Sequence, residues 1–181
     1  GWTGLGGFGA PGSSMVDVNT PPPVQFALAA TRYSHHYGVA MENLKKTLAG
    51  IAVKNHKNGT LNPKAHFQKE ITLEQALKAP MVAWPLGLFD CCGVSDGSAA
   101  AIITRPELAK KFRDDYVLVK GIGMAVGGQQ GMLQDDYDFV HFEENVRASQ
   151  MAYREAGVKD PLEEIDMAMV HDCFTITELV I

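Results

Sequence analysis

Apolar positions in the first half of the chain recur at the spacing of amphipathic helices. Residues 24–37 and 41–56 each place apolar side chains on one stripe, which predicts two helices. A shorter helix is predicted over residues 73–78, because Thr72 and Gln75 stand at the two positions of a capping box. The first half is therefore expected to be mostly helix and loop.

The second half of the chain alternates between predicted strands and predicted helices. The stretch 81–89 is apolar, but its proline and glycine exclude a regular central strand. After a turn-rich loop over residues 90–97, apolar runs of strand length alternate with helical patterns. This alternation predicts an α/β layer structure with a boundary near residues 90–95. The predicted strands are residues 98–104, 116–123 and 165–170, and the predicted helices are residues 106–112, 142–156 and 175–181.

A histidine stands where the last predicted strand gives way to the last predicted helix. His171 follows residues 165–170 directly, and the helical pattern opens a few residues later. In α/β folds, ligands bind outside the carboxyl ends of the strands, and amides at a helix N-terminus favour negative charge. On pattern alone, a histidine at a strand end is more often structural, but its position makes His171 the leading candidate for chemistry.

Composition narrows the class of protein without identifying a function. Of the 181 residues, 46% are hydrophobic and 20% are charged, which is typical of a globular protein. The formal net charge of −5 and the pI near 5.6 argue against a nucleic-acid-binding surface. No apolar run reaches the roughly 18 residues that a membrane span requires, and no secretory signal pattern is visible. We therefore expect a cytoplasmic protein that does not enter a membrane.

The three cysteines do not indicate a disulfide framework or a metal site. Cys91 and Cys92 are adjacent, and Cys173 is far away in the sequence. Three cysteines are an odd number and too few for the disulfide framework of a secreted scaffold. No further cysteine or histidine lies at zinc-ligand spacing from the vicinal pair, so we expect reduced thiols and no metal. A glycine-rich stretch that begins at Gly121 does not have the dinucleotide-binding spacing.

Three segments carry motifs in a fixed order along most of the chain. The first is Ala52-Val-Lys-Asn-His-Lys-Asn-Gly-Thr-Leu-Asn-Pro-Lys-Ala, the second is Asp90-Cys-Cys-Gly-Val-Ser-Asp-Gly-Ser-Ala-Ala-Ala, and the third is Val170-His-Asp-Cys-Phe-Thr-Ile-Thr-Glu-Leu. Together they resemble the thiolase superfamily, in particular sterol carrier protein X-type thiolases and the acetyl-CoA acetyltransferases of bacteria and archaea. The third segment is similar to that branch's form of the family's Asn-Glu-Ala-Phe motif, with His171 in place of the asparagine.

The resemblance implies a layered αβαβα fold, of which this chain would hold the middle part. Residues 1–94 would form the mostly helical loop domain that covers coenzyme A. Residues 95–113 would complete the N-terminal thiolase half, and residues 114–181 would open the C-terminal half. The nucleophilic cysteine of a thiolase would lie upstream, and its catalytic Gly-His-Pro histidine and second cysteine downstream. The 181-residue chain by itself is therefore expected to be inactive.

The same resemblance assigns roles to six residues near two of the motifs. His171 would stabilise the thioester oxygen as it becomes negative, and Asp172 would either orient His171 or cap the following helix. Cys92 and Gly93, with Cys173 and Phe174, would line the site for coenzyme A and the acyl group. Without the resemblance, Cys173 and Phe174 would be interpreted as core residues, and Cys91 as a packed, unreactive thiol.

The implied activity is a thiolase-type acyl transfer between acyl-CoA esters, by Claisen condensation or thiolytic cleavage through a cysteine acyl-enzyme. Coenzyme A would be a substrate, and no tightly bound cofactor is expected. One alternative is a thiolase-like retro-aldolase acting on CoA esters with a small partner protein. Another is a non-catalytic subunit that binds CoA esters or serves as a scaffold. Members of the family are usually dimers or tetramers, so the resemblance implies a homodimer or tetramer.

Overall fold

The computed structural model describes residues 21–127 and 137–181, which contain seven α-helices and one two-stranded sheet. Strand β1, Met81–Ala83, and strand β2, Leu86–Gly87, pair antiparallel across a turn with a cis Trp84–Pro85 peptide, and a 3₁₀ turn, Leu88–Asp90, follows. The elements in chain order are α1 Pro22–Tyr37, α2 Met41–Thr60, α3 Leu73–Leu77, β1 Met81–Ala83, β2 Leu86–Gly87, α4 Pro106–Ala109, α5 Glu143–Ala156, α6 Pro161–Glu164 and α7 Thr175–Val180.

The predicted helices are confirmed, because their end signals act locally. Helix α1 starts with a proline in its first turn and ends at Gly38, whose φ of 64° is a left-handed conformation that glycine adopts without strain. In α3, the Thr72 side chain accepts from the Gln75 N–H at 3.1 Å, and the Gln75 side chain accepts from the Thr72 N–H at 2.8 Å. The predicted capping box is therefore present. Helix α6 was not predicted from the sequence; its Asp160 side chain accepts from the Leu162 N–H.

The prediction of three strands in the second half is wrong for this structure. Residues 98–104, 116–123 and 165–170 are not paired as strands, and the sheet of the described residues consists of β1 and β2 alone. A strand exists only where a neighbour accepts and donates its ladder hydrogen bonds, and these segments have no such neighbour among the described residues. Their apolar side chains are correspondingly exposed, as at Ile103 and Val117, which are 86% and 90% exposed.

The described residues fall into two compact units. The first comprises residues 21–93, 127, 137–143 and 169–181, and the second comprises Val94–Val126 and Glu144–Ala168. The core of the first unit is apolar and joins α1, α2, β2 and α7. Its buried members are Phe26, Ala27, Ala30, Leu44, Leu48, Leu86, Cys173, Phe174 and Ile176. The domain boundaries at residues 94 and 113 stay a prediction.

The second unit contains a close approach between a glycine-containing segment and helix α5. A Cβ on Gly121 would lie 2.9 Å from the Ala156 nitrogen, and a Cβ on Gly123 would lie 3.0 Å from the Ala152 nitrogen and nearer still to the Ala148 carbonyl. The stretch that does not match a dinucleotide-binding motif therefore has a packing reason for its glycines.

Among residues 21–127 and 137–181, none of the helices combines the length and the apolar character that crossing a membrane demands.

Candidate functional site

Two of the three motif segments meet in the first unit through backbone hydrogen bonds. The Cys92 N–H donates to the Cys173 carbonyl at 3.0 Å, and Cys91 and Phe174 form an antiparallel bridge. The Thr175 hydroxyl donates to the Asp90 carboxylate at 2.8 Å. The predicted site residues near Cys92 and those near Cys173, some 80 positions apart in the sequence, therefore lie side by side.

His171 lies on the surface at a tight turn just before this junction. Its residue is exposed, and the Asp172 N–H donates to the Val170 carbonyl at 3.1 Å. Helix α7 starts at Thr175, and its N-cap is Phe174, without a side-chain cap. The imidazole therefore precedes the six-residue helix by four positions. Its expected role at the thioester oxygen stays a prediction.

The Asp172 side chain contacts helix α2. Its Oδ2 accepts from the Asn55 side-chain amide at 2.5 Å, whereas its buried Oδ1 has no hydrogen-bond partner among the described residues. Burial raises the pKa of this carboxyl, and repulsion from Glu178 raises it further, although Asn55 and Lys54 offset part of the effect. Phe174 is the N-cap residue of α7. The two roles expected of Asp172, orienting His171 and capping the helix, stay predictions.

The three thiols have different surroundings. Cys91 is half-buried and its Sγ lies 3.4 Å from the Gly87 carbonyl; burial and the neighbouring Asp90 raise its pKa to about 11. Cys173 is buried, and burial raises its pKa as well. Both therefore remain protonated thiols at neutral pH and are poor nucleophiles. Cys92 is exposed.

Gly93 and Phe174 both contact aromatic rings. A Cβ on Gly93 would lie 2.9 Å from two carbons of the Phe67 ring, so only glycine fits this approach without displacing the ring. Phe174 is 6% exposed and stacks on Phe26, with ring centroids 4.3 Å apart. Phe174 thus lies in the core of the first unit, and its expected part in lining an acyl channel stays a prediction.

Sequence reasoning missed the partners of Asp172. Asn55 also donates to Glu178 at 3.0 Å, and Glu178 forms an ion pair with Lys54. Lys54 and Asn55 lie on α2, and Glu178 lies on α7. The motif segments contain all four residues, but no spacing rule connects positions so far apart in the chain.

A second polar cluster, also missed, lies at the turn before α5. The Asp138 carboxylate lies 2.7 Å from Nδ1 of His141, and the Val140 N–H donates to the same oxygen at 2.9 Å. Burial by itself raises the pKa of Asp138, but the hydrogen bonds from Val140 and His141 outweigh it and lower the pKa overall. His141 also lines a small pocket with Phe26 and Ile176, and His171 is not among the residues of that pocket. The i, i+3 spacing of an acidic residue and a histidine was the signal available in the sequence.

Among the described residues, no group of three histidine, cysteine, aspartate or glutamate side chains is arranged to hold a metal ion.

Comparison with known proteins identifies the family. Residues 125–181 match a family model described as "Thiolase C-terminal domain-like". An acetyl-CoA acetyltransferase of Methanothermobacter thermautotrophicus is 36% identical over 154 residues, which cover 85% of this chain. The chain belongs to the thiolase superfamily. This agrees with the resemblance carried by the three motif segments.

Other thiolase relatives have a different named activity. A steroid side-chain-cleaving aldolase of Thermomonospora curvata is 32% identical over 161 residues and covers 87% of this chain. The solved structure of the Ltp2-ChsH2(DUF35) aldolase superposes with a TM-score of 0.73 at 29% identity, and the match covers 90% of this chain and 42% of that one. The superfamily is thus established, and the reaction is not decided by similarity.

The chain spans 38% of the length of the acetyl-CoA acetyltransferase and 39% of the length of the steroid aldolase that it matches.

Proposed function

We propose that the protein carrying this chain is a thiolase-type acyltransferase that condenses or cleaves acyl-CoA esters through a cysteine acyl-enzyme. In this proposal the nucleophilic cysteine lies outside residues 1–181, and coenzyme A is a substrate. The high pKa of the Cys91 and Cys173 thiols supports this choice, because a thiolase nucleophile must be a thiolate at neutral pH.

One observation carries the proposal: the exposed His171 lies next to the junction where the Cys92 segment bonds to the Cys173 segment. An imidazole on the surface at this junction is accessible to a substrate, and an N–H of the ring would donate to a thioester oxygen as it becomes negative. In this role Asp172 fixes the backbone beside the ring, and Cys92 and Gly93 flank the substrate.

The test is thiolysis of acetoacetyl-CoA by the protein carrying this chain, as wild type and as His171→Ala. Loss of one oxyanion donor is expected to lower kcat by about tenfold to a thousandfold with a smaller change in KM. The control is His35→Ala, since His35 is also exposed but lies in the last turn of α1. Equal kinetics for wild type and His171→Ala would remove His171 from the reaction.

A second candidate function is retro-aldol cleavage of a CoA ester together with a small partner protein. The match to the Ltp2-ChsH2(DUF35) aldolase, with its TM-score of 0.73, favours it. The two functions differ in their need for coenzyme A. An aldolase would release a carbonyl product without added coenzyme A, whereas thiolytic cleavage would require its thiol. Binding of acyl-CoA without turnover of either kind would favour a non-catalytic subunit.

A further inference from the structure

A side-chain amide bridges two carboxylates across the first unit. The Nδ2 of Asn55 on α2 donates to Oδ2 of Asp172 at 2.5 Å and to Oε2 of Glu178 at 3.0 Å. The second oxygen of Glu178 is paired with the ammonium of Lys54. Asn55 and Asp172 are 117 positions apart, so these bonds fasten the turn after His171 to a distant helix.

Asparagine suits this position for a reason of valence. The Nδ2 atom carries two N–H donors and no charge, so it serves two carboxylates at the same time. An alanine at position 55 would remove the side-chain amide that donates to Oδ2 of Asp172. The buried Oδ1 of the same carboxylate already has no partner among the described residues. An aspartate would replace the shared donor with a third carboxylate.

The bridge matters for His171 because of how that ring is held. His171 is exposed, and the backbone that carries it sets the range of positions that its ring can reach. On the carboxyl side, that backbone is anchored by the buried Cys173 and Phe174 and by the Asp172 side chain through Asn55. We propose that Asn55 is a positioning residue, which holds the Asp172 turn against α2 and thereby places the His171 imidazole for the reaction. This inference rests on the proposed function of His171.

The charges around the bridge give the inference a pH signature. Asp172 faces Glu178 from α7 and Lys54 from α2, so two carboxylates share one ammonium. A carboxyl introduced by Asn55→Asp would be repelled by both acidic neighbours, which raises its pKa above the ordinary value. While protonated, it donates one O–H to the bridge; once ionised, it donates nothing and repels Asp172. The variant is therefore expected to work better at acidic pH than at alkaline pH.

The experiment measures kcat and KM for acetoacetyl-CoA thiolysis from about pH 5.5 to about pH 8.5 in the protein carrying this chain. Asn55→Ala is expected to lower kcat about tenfold at every pH, because displacement of a catalytic group by about 1 Å is costly. Asn55→Asp is expected to lose about tenfold at the alkaline end and to regain most of it at the acidic end. KM is expected to change less than kcat. Rates are compared per amount of folded protein, determined by circular dichroism.

Asn43 provides the matched control, since it is exposed on the same helix. Asn43→Ala and Asn43→Asp are expected to keep the wild-type pH profile. If the Asn55 variants fail to fold, Asn55→Gln retains both N–H donors on a stem one methylene longer and is expected to fall between wild type and alanine. A wild-type pH profile for Asn55→Asp, or a wild-type kcat for the Asn55 variant that folds, overturns the inference.

A readout without turnover separates this inference from the proposed function. The Hε1 chemical shift of His171, measured by NMR in the free protein, is expected to change in the Asn55 variants and to stay unchanged in the Asn43 variants. An unchanged shift overturns the positioning role even in an inactive protein. In contrast, a wild-type protein without thiolysis, or with thiolysis that survives His171→Ala, overturns the proposed function and leaves the shift experiment to decide the role of Asn55.

Discussion

Truncation of Phe174 tests whether this residue belongs to the core. The ring is 6% exposed, and Phe26, which it stacks upon, is 5% exposed. Removing a buried phenyl ring to alanine costs about 3–5 kcal/mol through lost transfer free energy and the cavity that remains. Since a domain is stabilised by only about 5–15 kcal/mol, Phe174→Ala is expected to remove a large fraction of the stability of the first unit.

A double-mutant cycle isolates the contact between the two rings. Centroids 4.3 Å apart and planes inclined by 22° describe a stacked pair, for which about 0.5–1.5 kcal/mol of coupling is expected beyond the buried area. The cycle uses Phe26→Leu, Phe174→Leu and the double variant, because leucine keeps the sites apolar and removes the rings. The assay is urea unfolding of the protein carrying this chain, followed by circular dichroism, with the free energy extrapolated to water.

The control for this cycle is Leu28→Ala on helix α1, which also carries Phe26. Leu28 is 50% exposed, so its truncation is expected to change the free energy of unfolding by about 0.5 kcal/mol or less. A coupling energy within about 0.3 kcal/mol of zero would refute the stacked geometry. A loss below about 1 kcal/mol for Phe174→Ala, accompanied by a higher KM for acyl-CoA, would instead favour the channel-lining role implied by the family resemblance.

Three more predictions concern other parts of the molecule. Iodoacetamide at about pH 8 should label Cys92 before Cys91, since a pKa of about 11 leaves roughly a thousandth of Cys91 as thiolate. Mass spectrometry of the native protein checks the order of labelling, and equal labelling of Cys91 and Cys92 would contradict the prediction. Gly123→Ala should lower the unfolding free energy of the second unit by about 1–3 kcal/mol or more, whereas Gly97→Ala, with no atom within 4 Å of its Cβ, should have little effect in the same denaturation assay. Folding lowers the pKa of Asp138, so its contribution to stability is present above its unfolded pKa and is lost as the pH falls through its folded pKa. Asp138→Asn should therefore make the melting temperature fall less steeply at acidic pH than it does in the wild type. An equally steep fall in the variant would contradict this role of Asp138.

The helices of this protein were predictable because their causes are local. Apolar periodicity sets the buried face of α1 and α2, and the start and stop signals act within one turn, as at Gly38 and the Thr72–Gln75 capping box. The strands predicted in the second half could not be decided in the same way. A strand is completed by hydrogen bonds to a neighbouring strand, and no local pattern specifies where that neighbour lies. An apolar β-branched run indicates only that the segment favours extended backbone and burial.

In the candidate site too, local sequence signals were predictable and long-range contacts were not. The sequence by itself singled out His171, Asp172 and the Cys92 segment through their motifs, and it identified the superfamily. Only the tertiary structure decided that Asp172 bonds to Asn55 and that the Cys92 backbone bonds to Cys173. Contacts between residues more than 80 positions apart depend on how the whole chain folds. The spacing of residues along the sequence does not determine the distance between them in space.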